Sequence, residues 1–233
     1  MAPRANEDRV ERLLRQFHLG EDDRAAWEAS GLEPGGFDDW LTDRVARRPA
    51  GVRARGVYGA ESVHDFARVA ILEALALNPM DHLLEIGCGG GLLLRDALVT
   101  GATATGLDHS AEMVDVARET APGAALLIAD AERLPFRDGV FSAIAMSVVF
   151  FFFARPLTVL RVCRRVLTAE GRLAVFTTGP ELRGTPAAPE PLASRGHFHE
   201  DAMLTSLAEE AGFAGCRVVN QGGGQLLTAR PAP

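Results

Sequence analysis

Two acidic residues and a run of glycines carry the clearest chemistry in this sequence. Leu83 to Gly91 reads LLEIGCGGG, with Glu85 just ahead of Gly87, Cys88, Gly89 and Gly91. Glycines at this spacing allow a tight turn in which backbone amides approach a ligand closely. Glu85 ends an otherwise apolar segment, where a carboxylate is costly unless it meets a cation or hydrogen-bond donors. A ligand ammonium would serve. Asp108 follows 21 residues after Gly87, the reach expected of a carboxylate that accepts both hydroxyls of a ribose. Leu92 stands where a dinucleotide fingerprint wants its last glycine. The set points to a ligand with an ammonium and a ribose but no pyrophosphate, and away from NAD.

Other chemistry-bearing residues are scattered. Proton transfer from an oxygen or acidic carbon needs a base, and the candidates are His197 and His199, beside a Gly/Pro-rich segment at 179–196, with His64 and Tyr58 ahead of the first strand. The His197–His199 pair alone makes no zinc site, because no third ligand is placed near it. Cys88, Cys163 and Cys216 form no C-x-x-C, so no metal is expected. All 24 basic residues are arginine, which excludes a Schiff-base lysine and with it pyridoxal-phosphate chemistry. A net charge of -7 argues against nucleic acid as partner. Phe150 to Phe153 form an aromatic run of which part must be core, with a ring or two left to face an apolar or planar acceptor.

The elements that position these residues follow an alternating pattern. Strands are expected at His82–Ile86, Thr103–Leu107, Ala124–Ala129, Ala143–Val149 and Arg172–Thr177. Helices are expected from Ser62, with Asp65 as its capping pair, to Asn78-Pro79, and at Leu92–Val99, Ala111–Glu119, Leu157–Leu167 and Glu200–Ala211. Such alternation predicts a parallel sheet covered by helices on both faces. Cys216–Asn220 and Gln225–Ala229, joined by Gly222-Gly223-Gly224, predict a hairpin and hence one antiparallel strand inserted near the sheet edge. Residues 1–56 read as two short amphipathic helices with no core of their own, an N-terminal helical lid on a domain at 57–233. The two ends, Met1–Asn6 and Pro231–Pro233, read as disordered. With no apolar leader, no bilayer-length apolar run and few cysteines, a cytoplasmic protein with no membrane partner is expected.

In order and spacing, LLEIGCGGG, TATGLDHS, ADAERLPF, the apolar strand and RRVLTAEGRL resemble the class I S-adenosylmethionine-dependent methyltransferases, especially the ubiquinone and small-molecule branch. The resemblance covers about residues 60 to 230. It implies an α/β, Rossmann-like three-layer sandwich with a seven-stranded, mostly parallel sheet whose last strand is antiparallel. The implied cofactor is S-adenosylmethionine, leaving as S-adenosylhomocysteine. Glu85 and the backbone of Gly87, Cys88, Gly89 and Gly91 would hold the methionine part and Asp108 the ribose, with His109 and Met113 lining the pocket. Asp130, Ala131 and Glu132 would meet the adenine, Ser147 would lie near the methionine ammonium, and Tyr58 would cover the cofactor. Thr168-Ala169-Glu170-Gly171 replaces the usual K/R-P-G-G turn, and SVVF stands where nucleic-acid amino-methylating enzymes carry their Pro-Pro motif. The acceptor implied is a small molecule, in a setting of bacterial secondary metabolism, and a homodimer is compatible with this reading. Rival readings are a same-fold enzyme that uses the cofactor for a cyclisation, a non-catalytic scaffold, and a nicotinamide oxidoreductase.

Overall fold

A computed structural model describes residues 2–58 and 64–233. The sheet has seven strands: β1 (His82–Ile86), β2 (Thr103–Asp108), β3 (Ala125–Ile128), β4 (Phe141–Ser147), β5 (Leu167–Thr178), β6 (Phe213–Gln221) and β7 (Gly224–Pro231). Their order is β3-β2-β1-β4-β5-β7-β6. The first five pair in parallel, and β7 is antiparallel to both β5 and β6. The expected hairpin is present: Gly222 and Gly223 both have positive φ, as a two-residue turn matching the strand twist requires. Strand order reverses between β1 and its neighbours β2 and β4, which places the ligand-binding crevice beyond the carboxyl ends of these strands.

Helices α5 (Asp65–Leu75), α6 (Leu92–Val99), α7 (Ala111–Thr120), α8 (Pro156–Val166) and α10 (Asp201–Glu210) flank the sheet, and a short α9 (Leu192–Arg195) interrupts the segment after β5. On one face, Phe141, Ile144 and Met146 of β4 meet Val159, Leu160, Cys163 and Val166 of α8. On the other, Ala143, Ala145 and Ala174 meet Ala67, Ala70 and Ile71 of α5. Large side chains on one face and small ones on the other bring α5 close to the sheet. Each fully buried Leu, Ile or Phe contributes roughly 1.5–3 kcal/mol of transfer free energy.

Several expectations need correction. β4 ends two residues early because Val148 turns to a φ of +55°, which removes it from the strand. Thr168–Gly171 lies within β5 as an irregularity: pairing jumps from Phe141–Leu167 to Ala143–Arg172. The ends are built into elements, a helix starting at Ala2 and Ala232 N–H donating to the Gly212 carbonyl at 2.9 Å. The capping pair placed at Ser62 lies outside the described residues.

The N-terminal region holds four helices where two were expected: α1 (Ala2–Gln16), α2 (Glu21–Ala29), α3 (Phe37–Thr42), continued by a wider turn at Asp43–Arg47, and α4 (Gly51–Tyr58). Its helices gather one buried cluster, which a residue from outside the stretch joins. Val10, Leu13, Leu14, Phe17, Phe37, Leu41 and Val45 form a buried cluster completed by Leu192 of α9. Trp27, Phe37 and Trp40 pack ring on ring with centroids 5.0–5.7 Å apart. Three large rings supply the area that a short stretch otherwise lacks. No helix among the described residues is long and apolar enough to cross a membrane.

Candidate active site

The strand-to-helix turn after β1 is shaped by what would not fit there. Gly87, Gly89 and Gly91 have φ of +70°, +48° and +80°. A Cβ on Gly87 would lie 2.7 Å from Val149, and one on Gly91 would lie 2.9 Å from the Ala117 backbone. Gly91 is therefore bare so that α6 can pack on α7, and Gly87 so that the β4 end can approach. Gly89 differs: its nearest neighbour would be the Tyr58 ring at 3.9 Å. Here the bare backbone faces open space.

Two carboxylates stand at this turn, each at a strand end. Asp108 is 8% exposed; its Oδ2 accepts from Gly89 N–H at 3.0 Å and its Oδ1 from Ser110 N–H at 2.8 Å. Ser110 in turn caps α7 by accepting from Met113 N–H. Asp108 is thus fixed in place, with further lone pairs on both oxygens. Glu85 is 2% exposed, and its Oε2 is buried without a hydrogen-bond partner. Burial, and then the nearby Asp108 carboxylate, hold the Glu85 carboxyl well above the usual carboxylate range. Burial, with Glu85 and Asp108 adding to it, also pushes the Cys88 thiol up, so that thiol is neutral and unreactive.

These groups line one end of a cavity of about 1050 Å³. Tyr58 and Met113, which pack together, and Ser147, Val148 and Val149 at the end of β4 continue its wall. The other end is apolar. Phe66, Phe151, Phe152 and Phe176 line it, and Phe17, Val45, Leu182 and Leu192 roof it. The aromatic run after β4 divides as the sequence suggested: Phe150 is core, and Phe151 and Phe152 reach the cavity. The N-terminal region meets the rest of the chain through the Tyr58 hydroxyl, which donates to the Val45 carbonyl at 2.9 Å, and through Ser110 Oγ, which donates to the Pro49 carbonyl at 3.4 Å. Arg195 ties α9 to Asp39 of α3 at 3.0 Å.

Of the residues singled out in the sequence, Tyr58, Glu85, Gly87, Cys88, Gly89, Gly91, Asp108, Met113 and Ser147 converge on this cavity. The others do not. His109 is exposed and bonds to the Arg47 carbonyl instead of lining the pocket. Asp130 is exposed, its Oδ1 accepting from Glu132 N–H at 2.9 Å; Ala131 is in the main core, and Glu132 pairs with Arg155. His197 is exposed and its N–H donates to the Phe151 carbonyl at 2.6 Å. His199 packs beside Phe150 at 5.8 Å, with its pKa lowered by burial and then by His197. Neither histidine lines the cavity. His64 does, and burial lowers its pKa. Sequence reasoning missed His18, Gln16 and Arg68, which also reach the wall. His18 lies two residues past the end of α1, with a φ of +54°, and no local pattern signals that this turn is folded over a site. Among the described residues no group of three or more His, Cys, Asp or Glu is placed to hold a metal ion.

An S-adenosyl ligand fits these residues on two observations: an orphaned, buried carboxylate oxygen on Glu85, and bare backbone opening onto the cavity at Gly89 beside Asp108. Comparison with known proteins agrees. A family described as "Methyltransferase domain" matches residues 84–175. A demethylmenaquinone methyltransferase of Thermotoga maritima is 36% identical over 110 residues, 46% of this chain and 47% of that protein. One from Beutenbergia cavernae is 33% identical over 144 residues, 61% and 57% of the two chains. The solved structure of an S-adenosylmethionine-dependent methyltransferase from Aquifex aeolicus superposes with a TM-score of 0.63 at 20% identity, covering 77% of this chain and 97% of that one, a likeness of fold. The chain spans about half the length of these curated relatives, and its residues 84–175 are similar to the methyltransferase domain of that family.

Proposed function

We propose that this protein transfers the methyl group of S-adenosylmethionine to a small acceptor that carries an apolar ring and an ionisable hydroxyl. The observation that carries the reading is one continuous cavity, polar and acidic at the glycine turn and lined with phenylalanines at its other end. The relatives named for methylation of demethylmenaquinone support an apolar ring as acceptor. The net charge of -7 argues against nucleic acid. A role in bacterial secondary metabolism rests on composition and resemblance alone.

When bound, the cofactor supplies an electrophilic methyl on a positively charged sulfur. The chain's own groups align and protect the reaction. Glu85 and the amides of Gly87 to Gly91 hold the methionine end, and Asp108 accepts the ribose hydroxyls with the lone pairs left by Gly89 and Ser110. Asp130, Ala131 and Glu132 keep the adenine contact assigned by resemblance, from a loop that adjoins the Asp108 strand end through Ala129 N–H on the Asp108 carbonyl at 3.1 Å. Tyr58 and Met113 flank the cofactor, with Ser147 at the β4 end. Phe66, Phe151, Phe152 and Phe176 hold the acceptor ring and exclude water, so that nucleophile and methyl meet in line.

The base we assign is His64 in place of His197 and His199. Its lowered pKa keeps the imidazole neutral near physiological pH, ready to take the hydroxyl proton. Tyr58 is a tether in this reading, because its proton is committed to Val45.

The test is incubation of the purified protein with S-adenosylmethionine and a panel of naphthols and hydroquinones, followed by mass analysis. A product heavier by one methylene, formed with S-adenosylhomocysteine, supports the reading. A rearranged product of unchanged mass would support the cyclisation alternative instead.

A further inference from the structure

Glu85 sits where a negative charge is hardest to carry. It comes from β1, under the glycine turn, with Oε2 sealed from water and unpartnered. The ionisable groups that bear on it are the Asp108 carboxylate from the β2 end and the Cys88 thiol of the turn, both acids. From α6 it receives only the Leu94 backbone N–H. The first turn of α5 brings His64, Asp65 and Arg68 to the same cavity. Arg68, however, is committed to Asp65 at 2.8 Å and to Asp96 of α6, and no described cation pairs with Glu85.

We propose that Glu85 is a carboxylic acid in the free protein and exchanges its proton for the ligand's ammonium when the methionine end binds. The proton leaves to solvent, and a carboxylate–ammonium pair remains; no other bond forms or breaks. This rests on the cofactor reading above and deepens it. The pKa direction agrees, since burial and Asp108 both favour the neutral form. In the neutral range the ligand's amine keeps its own proton, so one proton is released per ligand bound.

Two consequences follow by linkage. Affinity rises about tenfold per pH unit while Glu85 is protonated in the free protein, and levels off above that. The free protein, whose Glu85 pKa is raised relative to the unfolded chain, loses stability as pH rises through the raised value; bound ligand offsets the loss.

Calorimetric titration with S-adenosylhomocysteine in buffers of different ionisation enthalpy, at one near-neutral pH, counts the proton. The expected result is about one proton released. 5′-Methylthioadenosine, which has the nucleoside but no ammonium, is expected to bind and release none. Glu85→Gln keeps the shape of the neutral acid, and is expected to fold, bind the homocysteine compound more weakly and release none. Tight binding without proton release by the intact protein would overturn the proposal, as would undiminished release by Glu85→Gln. Failure of both nucleosides to bind would overturn the cofactor reading on which it stands.

Discussion

The two ends of the cavity are built in different ways. The cofactor end is local: β1, the glycine turn, α6, β2 and the α7 cap lie within residues 82–120, and short backbone hydrogen bonds hold Asp108 from both sides. The acceptor end is assembled from α1, the turn after α3, the first turn of α5, the segment after β5 and the β6–β7 hairpin. Its parts meet through apolar contacts and half-exposed ion pairs. The first end is rigid and chemically specific, whereas the second is shaped by which distant segments pack together. Binding of cofactor and choice of acceptor should therefore respond to separate mutations.

The largest separation is expected at Asp108. On the proposed reading Asp108→Ala removes two charge-assisted ribose hydrogen bonds, and a loss of about a thousandfold in S-adenosylhomocysteine affinity is expected by calorimetry. Comparable affinity in the mutant would place the ribose elsewhere. His64→Gln should leave cofactor affinity unchanged and lower turnover by about a hundredfold. In the intact enzyme the rate should fall as pH drops through the lowered His64 value, because the protonated imidazole is no longer a base. An unchanged pH profile in His64→Gln would reassign the base.

Smaller effects concern stability. Gly91→Ala forces a side chain into a positive φ and onto the Ala117 backbone, and should cost about 2 kcal/mol in denaturant unfolding. The lid counterpart, Arg195→Ala, breaks an ion pair with the exposed Asp39. It should cost no more than about half a kcal/mol after screening, while raising the KM for acceptor more than for cofactor. Equal costs at both ends would erase the distinction between them.

The same division decides what could be read from the sequence. β1 and α6 were placed to the residue, because apolar runs bounded by glycine leave little freedom. Glu85 and Asp108 announced themselves as acids at the ends of buried strands. The N-terminal region was read as two helices where four stand, since the packing of Trp27, Phe37 and Trp40 joins residues from separate segments and is met by Leu192 from beyond β5. His197 and His199 looked catalytic by residue type, yet neither lines the cavity, and their backbones are tied to the Phe151 carbonyl and the Gln225 amide. His18 carried no signal, because only the tertiary fold brings the end of α1 over the site.

The most direct test of the central claim is a side-by-side calorimetric titration of the protein with S-adenosylmethionine and with NAD. The account predicts saturable one-site binding of S-adenosylmethionine and none of NAD. Binding of NAD in preference would contradict it, because the turn that ends in Leu92 would then be cradling a pyrophosphate.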